Sequence, residues 1–187
     1  MSRVRSERRT VLEYIQQGDV FTFNWCMRRK RRELFTTIGR LISKTADGPC
    51  YFAAPLALLP INSATATTLL IVLATAFAIE RPLYAILKRG LKRNRPADAL
   101  PGFESFIVPA DQFSFPSGHT SGAFLAATAT GWIFPPMLVP LYLWAALVGT
   151  SRVFLGVHFP SDIAAGALMG TSIGLLAISV LSSGLPI

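Results

Sequence analysis

Hydrophobic and polar positions divide the chain into two unequal parts. Through residue 48, apolar residues recur at helical spacing among many charges; beyond it, five apolar runs alternate with polar connections. Val11, Leu12 and Ile15 predict a short surface helix. Over 34–47, Leu34, Phe35, Ile38, Leu41 and Ile42 share one face with Arg40 and Lys44 off it, which predicts an amphipathic helix in the membrane interface. The apolar runs cover about 49–61, 64–87, 117–134, 137–155 and 160–182. The first is short and holds Pro55 and Pro60, and several fall below the ~20 residues of a perpendicular span. Pro135-Pro136 turns the chain between the third and fourth. The pattern predicts an all-α integral membrane helical bundle of about five transmembrane helices. A basic segment, 1–48, carries the amphipathic interfacial helices, and 49–187 forms the membrane domain.

Composition agrees. Of 187 residues, 51% are hydrophobic, and the mean hydropathy of +0.46 is too high for an ordinary soluble domain. The net charge of +8 would suit nucleic acid, but the cations flank apolar runs, as lipid and topology rules require, so nucleic acid is excluded as a partner. Eleven of the 18 basic residues precede residue 50, and none lies near 60–63, 134–136 or the C-terminus. The positive-inside rule therefore puts the N-terminal segment, the 88–116 loop and the 151–162 connection on the cytoplasmic side. Arg3, Arg5, Arg8 and Arg9 are not followed closely by the apolar run of a signal peptide. For Arg28–Arg32, behind Phe21, Phe23 and Trp25, two readings stand: an anchor on anionic headgroups with interfacial aromatics, or a solvated basic tail. Cys26 and Cys50 lack metal-ligand spacing and read as free buried thiols, in preference to a disulfide.

Polar residues between apolar helices are costly and point to function. The stretch 149–162 holds Arg152, His158 and Asp162; the only other histidine, His119, opens the third run in Phe115-Pro-Ser-Gly-His119. Lys88, Arg95 and Arg152 collect positive charge on that same side, and arginine binds phosphate bidentately. Pro116 fits a helix start, which would leave the N–H groups of Ser117 and Gly118 for an anion, with glycine permitting close approach. A neutral imidazole can attack phosphorus if an acceptor holds its other nitrogen, and Asp162 lies four residues from His158. The second histidine can protonate the leaving oxygen. Taken singly, each histidine also reads as a cap or core residue and Asp162 as a helix cap; together on one side they read as a site. Glu80, Tyr84 and Lys88, four apart, either point into the bundle or mark the interface. Asp98, Glu104 and Asp111 are irregularly spaced and read as solvated loop residues, not metal ligands. Gly166, Gly170 and Gly174 form a face for close packing inside the bundle or, as the lesser option, for an oligomer contact.

Lys88-x6-Arg95-Pro96, Pro116-Ser117-Gly118-His119 and Ser151-Arg152-x5-His158-x3-Asp162 resemble the three-part signature of the type 2 phosphatidate phosphatase superfamily, shared with vanadium haloperoxidases. The resemblance covers roughly 50–182. It implies a helical bundle and a metal-independent lipid phosphatase with no cofactor. It also implies a phosphohistidine on His158 oriented by Asp162, a leaving group protonated by His119, and phosphoryl oxygens held by Lys88, Arg95, Ser117, Gly118 and Arg152. The implied substrates are lipid phosphates such as phosphatidate, phosphatidylglycerol phosphate or isoprenoid (di)phosphates, in a bacterial inner (plasma) membrane. Leu100, Phe103, Phe106, Ile107 and Phe113 would contact the lipid chain. A lipid phosphotransferase, a haloperoxidase and a non-catalytic lipid-phosphate-binding protein are the competing readings. Membrane members of that family commonly have six spans and an extracytoplasmic site; the charge distribution here favours the cytoplasmic face.

Overall fold

The computed structural model describes residues 11–28 and 30–184, and every regular element among them is helical. The elements are α1 (Val11–Met27), α2 (Arg32–Lys44), α3 (Cys50–Leu58), α4 (Ser63–Leu91), α5 (Pro96–Ala99), α6 (Gly118–Ile133), α7 (Leu138–Phe154) and α8 (Pro160–Gly184). A 3₁₀ turn, Pro135–Met137, joins α6 to α7 where the two prolines predict a turn. The predicted N-terminal arginines 3–9 and Arg29 lie outside the described residues.

Among the described residues, three helical segments are long and apolar enough to cross a membrane: Ser63–Ala99, Pro135–Phe154 and Pro160–Ser183. The run at 49–61 yields only nine helical residues around Pro55, and α6 has 16. Both fall below the length of an upright span.

The core is built on α6, whose Thr120–Ala123 and Leu125–Ala129 are buried among α4, α7 and α8. Small residues make that possible. A Cβ at Gly166 would sit 2.7 Å from the Ser117 carbonyl oxygen, and one at Gly170 would sit 2.1 Å from that of Ser121. Backbone of α6 thus occupies the glycine face of α8. The face works inside the bundle and is closed to a second copy, which removes the oligomer option there. The surface is apolar instead: Ile71, Leu83 and Ile86 on α4, Leu143 and Leu147 on α7, and Leu168, Leu175 and Val180 on α8 are exposed. Such an outward apolar surface suits lipid.

The N-terminal helices follow the same logic. On α2, Thr36, Gly39 and Ser43 are buried against α7, while Leu34, Ile38 and Leu41 face outward. The predicted apolar face is therefore the exterior one. Helix α1 spans 17 residues, beyond the short helix the sequence suggests, and docks on α7 and α8. Phe21 and Trp25 are exposed, but Phe23 is fully buried with Cys26, Val153 and Phe159 and is no interfacial anchor. Leu100 and Phe103 pack against that same cluster, with the Phe103 ring 5.0 Å from that of Phe23, so their first role is core and not lipid contact. Neither cysteine is in a disulfide; Cys26 is buried, but Cys50, at the start of α3, is exposed and not the buried thiol expected.

Candidate active site

Alternating helix directions bring the C-terminal ends of α4 and α7 and the N-terminal ends of α6 and α8 to one end of the bundle, where α1 and α2 also dock. All eight predicted site residues lie there.

Helix α8 begins at Pro160, whose fixed φ suits the first turn. Asp162 reaches back and accepts the Phe159 N–H through Oδ2 at 2.8 Å, the acidic half of a capping box. That same oxygen lies 3.5 Å from His158 Nδ1, longer than a hydrogen bond. Asp162 is therefore both cap and histidine partner. Asp162 is fully buried and His158 nearly so. Burial pushes the His158 imidazole down to about 4, and the nearby Arg95 and Arg152 act the same way, against the pull of Asp162. The ring is neutral at neutral pH, the form that can act as a nucleophile.

The other carboxylate oxygen of Asp162 reveals a residue absent from the expected set. Arg93 Nη1 donates to Asp162 Oδ1 and to Ser161 Oγ, both at 2.6 Å, while Nη2 donates to Asp19 at 2.5 Å and Gln16 at 2.7 Å. Asp19 also accepts from the Ser161 N–H at 2.9 Å. Helix α1 is thereby tied through one guanidinium to the partner of His158. Sequence held a signal: Asp19, Phe23 and Cys26 share a face, so a lone acid lies in an apolar stripe of a basic segment.

His119 sits one residue into α6. Its Nε2 lies 3.2 Å from Asp47 Oδ1, and its carbonyl accepts from Tyr51 Oη at 3.4 Å. Asp47, in the turn between α2 and α3, is thus the companion of the second histidine. Pro116 does not start α6. Ser117 is the N-cap, with its hydroxyl 3.5 Å from the Thr120 N–H it caps. The Ser117 N–H donates to the Asp162 carbonyl at 3.1 Å and is not open to an anion. Its hydroxyl accepts from Thr120 Oγ1 at 2.9 Å and keeps its own proton to donate. The Gly118 N–H has no partner among the described residues and remains a helix-start donor. Glycine is needed there for Tyr84, since a Cβ would meet that ring at 2.9 Å.

The three cations are placed differently. Arg152, in the last turn of α7, donates through Nη1 to Ser43 on α2 at 2.7 Å and leaves its buried Nε without a partner. Lys88 lies 2.9 Å from Asp111 Oδ1 and donates to Tyr84 Oη at 2.6 Å. Arg95 donates to the Val157 carbonyl at 2.6 Å, to the Asp111 carbonyl at 3.0 Å and to its carboxylate at 2.5 Å. Asp111 is thus no merely solvated loop residue. Burial would raise its pKa, but hydrogen bonds from Tyr84, Lys88 and Arg95 outweigh that and hold it below the usual carboxylate range. An anion at Lys88 and Arg95 must share them with Asp111 or replace it. Glu80 and Lys88 are buried and Tyr84 is half-buried, so this row of α4 points inward.

Two cavities meet at His119, Asp47 and Ala110. One, about 440 Å³, is lined by Tyr51, Phe52, Phe77, Arg81 and Tyr84; the other, about 460 Å³, by Arg40, Lys44, Ile107 and Arg152. A neutral histidine backed by a carboxylate, a second histidine and clustered cations can support phosphoryl transfer.

Residues 51–183 match the family model described as PAP2 superfamily. The chain is 36% identical over 106 residues to the decaprenylphosphoryl-5-phosphoribose phosphatase of Mycobacterium tuberculosis, covering 54% of this chain and 55% of that protein. It is 40% identical over 101 residues to the lipid A 1-phosphatase of Rhizobium etli, covering 51% and 43%. The chain spans about half the length of the curated relatives it matches. The crystal structure of the first transmembrane PAP2 type phosphatidylglycerolphosphate phosphatase from Bacillus subtilis superposes with a TM-score of 0.69 at 24% identity, covering 93% of this chain and 89% of that one, a likeness of fold. With most of its length matched by the family model, this chain belongs to the PAP2 superfamily.

Proposed function

We propose that the protein is a membrane lipid-phosphate phosphohydrolase that works through a phosphohistidine on His158. The observation that carries this reading is the Asp162 carboxylate, pinned by the Phe159 N–H and Arg93 and set behind His158 Nδ1. His158 Nε2 is left to attack, and Asp162 stabilises the imidazolium that forms. Catalytic hydrogen bonds commonly tighten in the reacting complex, so 3.5 Å suits the role.

The substrate phosphate replaces the Asp111 carboxylate at Lys88 and Arg95 and takes further donors from Arg152, the Ser117 hydroxyl and the Gly118 N–H. Burial and Arg152 push the His119 imidazole down to about 4 against the pull of Asp47, so it takes its proton from the arriving phosphate monoester. His158 Nε2 then bonds to phosphorus as the phosphorus–oxygen bond to the lipid breaks, and His119 delivers that proton to the departing oxygen. Water then attacks phosphorus, gives a proton to His119, and the phosphorus–nitrogen bond breaks to release inorganic phosphate. No step needs a metal. The site faces the cytoplasm of a bacterial inner membrane, supported by the basic α1–α2 segment docking at this end. The test is phosphate release from purified lipid phosphates with and without a chelator. Release that the chelator leaves unchanged supports the reading, and loss of release on chelation contradicts its metal-free chemistry.

A further inference from the structure

From the geometry of α4 we infer that Arg81 forms a second anion subsite. It would select lipid substrates whose leaving group carries a phosphodiester, separated from the scissile phosphate by a short polyol. This rests on the hydrolase reading and names its substrate class.

Glu80 is fully buried on α4, directly after the long uncharged run that ends at Ile79. A buried carboxylate is costly unless it holds something in place. Its Oε2 accepts from Arg81 Nε, and its Oε1 has no partner among the described residues. The guanidinium carbon lies 4.9 Å from the ring centre of Tyr84 and 5.9 Å from that of Phe77. Carboxylate and rings fix the plane of the guanidinium, while Nη1 and Nη2 have no hydrogen-bond partner among the described residues. A positioned planar fork with both outer nitrogens open is suited to bidentate binding of a phosphate oxygen pair.

Arg81 lines the 440 Å³ cavity that begins at Gly118 and His119. His119 protonates the departing oxygen and both cavities reach it; the one walled by aromatic rings, not the one lined by Arg40, Lys44 and Arg152, suits a leaving group that carries a lipid chain. The wall is otherwise largely aromatic: Tyr51, Phe52, Phe77 and Tyr84. Its two carboxylates are engaged, Asp47 with His119 and Asp111 with Lys88 and Arg95. Arg81 is the cation left in that wall to meet an anion.

Spacing refines the ligand. Arg81 and Lys88 are seven residues apart on one helix, roughly 10 Å along its axis. A second phosphate joined directly to the first would remain with Lys88 and Arg95. One separated by glycerol or a pentose reaches the level of Arg81, with its lipid chain running on between the aromatic rings.

Three substrates separate these cases in detergent-solubilised protein: phosphatidate, phosphatidylglycerol phosphate with the same acyl chains, and an isoprenoid diphosphate. The wild type should favour phosphatidylglycerol phosphate over phosphatidate in kcat/KM by about tenfold or more. R81Q should bring that ratio close to one, and R81K, which keeps the charge but loses the fork, should fall between. An unchanged ratio in both variants overturns the subsite, and an Arg81-dependent preference for the diphosphate overturns the polyol spacing. Absence of phosphate release from all three by the wild type would instead overturn the hydrolase reading.

Discussion

The two histidines occupy opposite kinds of surroundings. His158 is sealed in the α7–α8 connection, and its carboxylate Asp162 is fully buried and held by a backbone N–H and Arg93. His119 stands at the meeting point of two cavities, its side chain 29% exposed, and its carboxylate Asp47 is 54% exposed. One imidazole is fixed and shielded; the other has room for a leaving group and then for water. The first setting suits a nucleophile that must hold its line of attack, the second a residue that shuttles protons.

The largest expected effect breaks the comparison outright. His158→Asn should lower kcat/KM by about 10⁴-fold or more for every substrate, whatever its leaving group. His119→Asn should cost about 10²- to 10⁴-fold on lipid phosphates, and far less on p-nitrophenyl phosphate, whose leaving oxygen needs no proton. Equal losses on both substrates would make the two histidines equivalent and remove the division of labour.

Arg93 sharpens the nucleophile side. Arg93→Gln should lower kcat about tenfold with KM little changed, because the Asp162 carboxylate loses a hydrogen bond while the phosphate cations stay in place. Partial recovery in Arg93→Lys would mark a positioning role, whereas a rise in KM alone would not.

The smallest effect is on stability. The folded pKa of His158 lies below the unfolded value near 6.5, so below that pH the unfolded chain binds a proton that the native ring refuses. Stability from this group is full above pH 6.5 and declines as pH falls toward about 4. Thermal unfolding of His158→Asn should show a shallower decline over that window; an identical slope would mean the ring is not buried neutral.

The parts of the molecule readable in sequence are those written as local pattern. Helix ends at Pro160 and near Phe154 follow from periodicity and proline. The eight predicted site residues converge because helices alternate in direction, so each motif at a helix end shares one side. What escaped sequence has a common physical cause: it depends on pairings across long separations. Asp47, Asp19 and Asp111 each read as ordinary polar residues until His119, Arg93 and the Lys88–Arg95 pair are brought beside them. On α2 the outward apolar face agrees with an interfacial helix, and what the pattern does not single out is the small-residue stripe of Thr36, Gly39 and Ser43 that packs inward.

The central claim is that His158 carries the phosphoryl group. Rapid acid-free quenching of His119→Asn with radiolabelled p-nitrophenyl phosphate tests it most directly, since that variant should form the adduct and hydrolyse it slowly. The expected result is an acid-labile, alkali-stable label that maps to His158 and is absent from the His158→Asn protein. A label on another residue, or no covalent adduct while p-nitrophenol is released, would contradict it.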